Sequence, residues 1–204
     1  MTVRALLAIT AAATLAASAH ANVLFDFSTD AQGWTATNGG QLVHVASGGN
    51  GGGFLSILDV SGDDFLAVAP AAALGARGGW LGGVLSFDAR NLNNDAPDWA
   101  DFGRITLTGG GSSLSLDLIP DNQPPADGQW HRYSVALTEN VWGATLPGLL
   151  ANLTGLSIKG EFHNGVSEQV GLDNIAITAV PEPAQWALLL AGGLMLPALR
   201  RRRR

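Results

Sequence analysis

The 204-residue chain contains no cysteine, one tyrosine and two methionines. Without thiols it has no disulfide staple, no thiolate metal site and no cysteine nucleophile. Basic residues are scarce as well: between positions 22 and 180 only Arg77, Arg90, Arg104, Arg132 and Lys159 stand against 16 carboxylates. Binding a phosphate backbone needs a basic patch, so nucleic acid is excluded as a partner. Catalytic signatures are missing too. There is no G-x-S-x-G elbow and no H-E-x-x-H pair, and His44, His131 and His163 stand isolated on predicted strands or strand ends.

What is present begins with the two ends. Residues 1–21 combine Arg4, an apolar run over 5–17 and the small residues Ala19 and Ala21 around His20. That pattern predicts a signal peptide and a mature chain starting at Asn22. At the other end Pro181, Glu182 and Pro183 punctuate a domain boundary, because two prolines cannot continue a strand ladder. An apolar run over 184–199 and then Arg200 to Arg204 follow. At ~1.5 Å per residue the run reaches roughly 24 Å, a marginal single transmembrane helix with its arginines on the cytoplasmic side. Pro-Glu-Pro, a short apolar span and a terminal arginine cluster together resemble the PEP-CTERM sorting signal (180–204). That resemblance implies a Gram-negative bacterium. It also implies an exosortase-type peptidase as processing partner, and a destination in the cell envelope, on the surface or outside, in company with exopolysaccharide and biofilm matrix.

Between these ends, 25 of the 27 glycines punctuate short runs in which apolar residues recur with period two. Strands are predicted over 23–27, 41–46, 54–60, 84–89, 104–108, 113–118, 130–138, 155–162 and 170–178. Short helical pieces are predicted over 70–74 and 146–153. Leu114, Leu116 and Leu118 alternate with Ser113, Ser115 and Asp117, giving one dry and one wet face. The pattern predicts an all-β sandwich or jelly roll over 22–179. The glycine-rich stretch 48–53 reads as a flexible loop rather than a phosphate cradle, having no lysine and no strand-to-helix context.

The order of pieces along this region resembles the laminin IV type A (laminin B) domain. The matching pieces are Asp26-Phe27, Gly33-Trp34, Gly52-Gly53-Phe54-Leu55, Leu85-Ser86-Phe87-Asp88-Ala89-Arg90, Ile105-Thr106-Leu107-Thr108-Gly109, Trp130 to Leu137, Trp142, Asn152 to Glu161 and Gly171-Leu172-Asp173-Asn174-Ile175. The resemblance implies a galactose-binding-like jelly roll, usually a non-catalytic extracellular module. Laminin network assembly is not implied, since no cysteine-rich repeats accompany the domain.

Hard oxygen donors in loops suit calcium, which takes six to eight of them. Asp26 and Asp30 near the first strand, with Asp173 on the last, resemble the structural calcium site that clamps the chain ends in galactose-binding-like folds. The competing reading has Asp26 and Asp173 capping turns or accepting from backbone amides. A second cluster, Asn91, Asn93, Asp95, Asp98 and Asp101, has Ala96 where an EF-hand loop needs glycine and no closing glutamate. Trp34, Trp80, Trp130 and Trp142 fall at expected core positions, whereas Trp99 lies in a polar loop. Trp99 with Asp98, Asp101 and Asn93 is therefore the candidate ligand rim. The expected function is an exported, non-enzymatic module that binds or is embedded in extracellular polysaccharide. A passive matrix or coat protein is the alternative. A glycan hydrolase or lyase using paired acids such as Asp63, Asp64, Asp95, Asp98, Asp101 and Glu161 is the third.

Overall fold

Residues 22–117, 119–165 and 168–179 are described by the computed structural model. The signal-peptide reading over 1–21 and the tail with Pro181, Glu182 and Pro183 lie outside them. Among the described residues no helix is long and apolar enough to cross a membrane.

In chain order the strands are β1 (Val23–Phe25), β2 (Thr35–Ala36), β3 (Gly40–Val45), β4 (Phe54–Asp59), β5 (Leu66–Val68), β6 (Val84–Asn91), β7 (Ile105–Gly109), β8 (Ser112–Leu116), β9 (His131–Ala136), β10 (Leu153–Lys159) and β11 (Gln169–Thr178). All nine predicted strands are present. The additions, β2 and β5, have two and three residues, too few to display an alternation. The helical pieces are α1 (Glu139–Trp142) and α2 (Leu146–Ala151), with 3-10 turns at Ala71–Ala73 and Gly78–Trp80.

Two antiparallel sheets result, one ordered β3-β4-β11-β6-β9 with β1 also on β11, the other β2-β5-β10-β7-β8. The inward residues follow the alternation: Leu55 and Ile57 of β4, Leu85 and Phe87 of β6, and Val170 and Leu172 of β11. From the second sheet come Ala67, Ile105, Leu107, Leu156 and Ile158, all in one buried cluster. Each of these side chains larger than alanine contributes about 1.5–3 kcal/mol by leaving water. Trp34, Trp80 and Trp142 join the same cluster, but Trp130 does not.

Strand β11 organises the first sheet. Its first half pairs β4 (Leu172 beside Leu55) and its second half pairs β1 (Ile175 beside Phe25), while β6 runs along its other side. Its inward residues change phase, from Val170 and Leu172 to Ile175 and Ile177. The cause is a bulge: Asp173 faces Asp88, yet Ala176 faces Ser86, so β11 spends one residue more than β6. Asn174 absorbs the kink at φ 47°, a conformation asparagine tolerates. The ends of the domain meet as well, Ala179 N donating to Asn22 Oδ1 at 3.0 Å.

Candidate functional site

The segment from β6 to β7 carries the predicted rim, and the chain leaving β10 holds it in place. Asp98 N and Trp99 N both donate to the Phe162 carbonyl at 3.1 Å. The Trp99 side of the rim is open: the residue is 42% exposed, a high value for tryptophan. Beneath it, Lys159 Nζ lies 6.0 Å from the ring centroid and 2.6 Å from Asp64 Oδ2, and Trp99 Nε1 donates to Asp64 Oδ1 at 3.3 Å. The indole is thus fixed by an ion pair whose lysine end is buried.

Asp98 stays beside it, accepting from Asn164 N at 2.8 Å and from the His163 ring at 3.2 Å. The Asn164 amide, ahead of the imidazole, holds this carboxyl below its ordinary range. The other two predicted members do different work. Asn93 Oδ1 accepts from Gln169 N at 2.6 Å, securing the start of β11, and Asp101 pairs with Arg104 three residues on. His163, which looked isolated in the sequence, faces a carboxylate at each ring nitrogen, Asp98 from Nδ1 and Asp95 from Nε2. His131 likewise meets Asp127 at 3.0 Å.

Lys159 links the rim to the outer face of the second sheet. Period two puts Ser157 on the same side of β10 as Lys159. Ser157 stands beside Thr106, Thr106 beside Ser115, and Thr108 beside Ser113. Their hydroxyls meet in pairs, at 2.8 Å for Thr106 with Ser115 and 3.3 Å for Thr108 with Ser113. A strip of short hydroxyl side chains therefore runs across this face from the tryptophan. No linear motif announces it, because the residues come from three strands.

Each predicted calcium residue accepts from nearby amides. Asp30 closes its own turn on Gln32 N at 2.7 Å. Asp26 Oδ1 accepts from Ser28 N, Ser28 Oγ and Gln32 Nε2, and the Ser28 amide, first among these, lowers its pKa. Asp173 is 1% exposed; burial pushes its carboxyl up, amide donors from Asn174 and Asn50 oppose this, and the charges of Asp88 and Asp26 add to it. Asp26 and Asp173 are therefore electrostatic neighbours. Among the described residues no three acidic, histidine or cysteine side chains form a group that could hold a metal ion. A calcium ion would draw on Asp26, Asp173 and peptide oxygens, in place of the amides that now serve the two carboxylates.

One of those amides, that of Asn50, belongs to the stretch 48–53, and here the flexible-loop expectation is corrected. Asn50 N donates to Asp173 Oδ2 at 2.7 Å and Asn50 Nδ2 to Asp88 Oδ2 at 2.9 Å, while the Gly48 carbonyl accepts from Trp130 Nε1 at 3.2 Å. The loop is a strap laid over the first sheet, tied to β6, β11 and the residue preceding β9. Glycine is required at Gly53, where a Cβ would fall 2.3 Å from the Phe27 oxygen. Trp130 covers Gly171 of β11, whose Cβ would sit 2.8 Å from the indole.

A third group was not legible as a set. Asp59, Glu161 and Glu168 are 1%, 2% and 1% exposed. Glu168 accepts from Phe162 N and His163 N, and Glu161 from Phe65 N. Burial first, then the charge of Asp59, raises Glu161 to about 7. Burial first, then Glu161, raises Glu168 to about 8. Both glutamates and Asp59 thus belong to one buried acidic group, in which burial and like charge favour the protonated carboxyls. The described pocket lined by Phe87, Gly103, Ile105, Leu116, Ile119, Ser134 and Val135 holds about 10 Å³, room for about one water. None of these carboxylates lines it.

Comparison with known proteins agrees with this architecture. The L4b domain of human laminin alpha-2 superposes with TM-score 0.59 at 12% identity, over 80% of this chain and 99% of that one. A family 30 carbohydrate-binding module from a Clostridium thermocellum cellulosomal cellulase gives TM-score 0.58 at 11% identity, over 79% and 99%. A family 11 carbohydrate-binding module from the same organism gives 0.50 at 14%, over 81% and 98%. At such identities the likeness establishes the shared sandwich and nothing finer. No curated protein matches in sequence. The laminin B (domain IV) family model matches residues 67–187, more than half of the chain. This chain belongs to the laminin B (domain IV) family.

Proposed function

We propose that the domain is a non-catalytic module that binds extracellular polysaccharide, with Trp99 as its stacking platform and the hydroxyl strip of the second sheet continuing the contact. One observation carries the reading: a tryptophan 42% exposed yet braced from below by Lys159 and Asp64. A large ring held in water at the end of a polar strip suits the apolar face of a sugar, while neighbouring hydroxyls exchange hydrogen bonds with its rim. The sandwich it shares with carbohydrate-binding modules supports the same reading. A glycan hydrolase is disfavoured. Raised carboxyls often mark catalytic acids, but Glu161 and Glu168 are buried to within 2% and 1% of their surface, out of a substrate's reach.

The same proposal takes residues 1–21 as an export signal and the tail with Pro181, Glu182 and Pro183 as the substrate of an exosortase-type peptidase. The 184–199 run then holds the chain in the membrane until processing, in a Gram-negative envelope. The test is retention on polysaccharide from the producer's own matrix, measured for the wild type and Trp99→Ala. Retention falling at least about tenfold, with Tm unchanged, is the expected result. Equal retention removes Trp99 from the reading. Loss of all polysaccharide binding, with recovery of matrix proteins instead, favours the passive coat component.

Calcium at Asp26 and Asp173 is part of the proposal as a clamp on the chain ends. Adding chelator to protein prepared with Ca²⁺ then lowers Tm by several degrees. An unchanged melting curve shows that the amides of Asn50, Asn174 and Ser28 suffice by themselves.

A further inference from the structure

The Phe162 carbonyl and the Asn164 amide anchor the Trp99 rim from residues 160–165, and this segment is secured by a buried group of carboxyls. Phe162 supplies the carbonyl for Asp98 N and Trp99 N, and its own N–H is bound by Glu168. His163 N is bound by the same carboxyl. The His163 ring lies between Asp95 Oδ1 at 3.0 Å and Asp98 Oδ1 at 3.2 Å. Glu161 and Glu168 lie buried with Asp59, where burial and like charge favour their protonated forms. Asp59 Oδ2 is buried there without a hydrogen-bond partner, so no donor relieves a further negative charge.

We propose that residues 160–165 form a proton-operated latch on the Trp99 rim, closed while the buried Glu161 and Glu168 hold their protons and released by mutual repulsion with Asp59 when those protons leave. The charged groups around the latch point the same way. Asp59 approaches from the end of β4 and Asp64 from the chain before β5. Asp95 and Asp98 approach from the segment after β6. Lys159 of β10 is the nearby cation, and its ammonium is committed to Asp64 and the Ala100 carbonyl. Deprotonation therefore leaves Asp59, Glu161 and Glu168 mutually repelling, with two of the three on the segment that carries or secures Phe162. Burial and like charge hold both glutamates protonated up to the neutral range, about 7 and about 8, which sets the window in which the latch opens.

The consequence for ligand binding rests on the polysaccharide reading; the latch itself does not, and its test needs no ligand. Trp99 emission is isolated as the difference between the wild type and Trp99→Phe, followed from pH 5 to pH 9 with chelator throughout so that no divalent cation substitutes for the proton. Tm is recorded across the same range. A sigmoidal change in the difference emission between pH 7 and pH 8 is expected, with Tm at pH 9 about 5 °C below that at pH 6. Glu168→Gln puts an uncharged amide where the carboxylate would form, so it flattens both curves above pH 7. Glu161→Gln is the mirror variant should the first fail to fold. A wild-type emission and Tm flat from pH 6 to pH 9 overturns the proposal. So does a transition of unchanged midpoint and size in both glutamine variants. In a separate arm, retention on matrix polysaccharide is compared at pH 6 and pH 9. A latch transition without any retention at pH 6 leaves the latch standing and removes the polysaccharide reading.

Discussion

Asn93 shows how far residue type and role diverge. As a polar loop residue it looked like a ligand contact, yet its carbonyl oxygen accepts from Gln169 N and so fixes where β11 begins. Removing it leaves a backbone donor without its partner. Asn93→Ala is expected to lower stability by about 1–3 kcal/mol in urea unfolding, with no change in the Trp99 emission maximum. Trp99 is the opposite case, an exposed aromatic whose loss is nearly free for the fold. Gly53→Ala falls on the structural side again. Its Cβ would enter the space between the Phe27 oxygen and the His44 ring, and a loss of about 2 kcal/mol is expected in the same assay.

Among elements, the strap and the bulge form one device. The extra residue in β11 turns Asn174 so that its Nδ2 reaches the Asn50 carbonyl at 2.8 Å and Asp88 Oδ2 at 2.9 Å. Without the bulge, Ile175 and Ile177 would swing to the wet face, because one residue reverses every side chain that follows. Deleting Asn174 is therefore expected to abolish cooperative unfolding. Asn50→Ala removes one donor from Asp88, which is 1% exposed, and costs about 1–3 kcal/mol while leaving the sheets intact by circular dichroism. The phase change from Val170 and Leu172 to Ile175 and Ile177 was visible in the sequence. Its meaning was not, since pairing with β6 and β1 is needed to distinguish a bulge from a strand end.

For the whole molecule, opposing carboxyl shifts set the pH of greatest stability. Glu161 and Glu168 are raised in the folded state, so their contribution is complete below about 4.5 and disappears as pH rises through about 7 and about 8. Asp26, Asp98 and Asp127 are lowered, chiefly by the amides of Ser28, Asn164 and Gln129. Their contribution is present above the ordinary carboxylate range and disappears as pH falls through their depressed values. Tm is thus expected to peak between about pH 4.5 and pH 6.5, a window checked by calorimetry in matched ionic strength. Asp98→Asn should remove part of the acid limb without touching the alkaline one.

Alternation of apolar and polar side chains determined the sandwich and nine of its eleven described strands, because burial of one face is a local, periodic property that a linear chain displays. Trp99 could be picked out for the same reason, as an aromatic in a polar loop. Only the tertiary structure decided that Lys159 and Asp64 brace it, that His163 lies between two aspartates, and that Asp59, Glu161 and Glu168 crowd together. These groups are brought together from strands and loops far apart in the chain. Charge and burial depend on distance through space, to which spacing along the chain gives no guide.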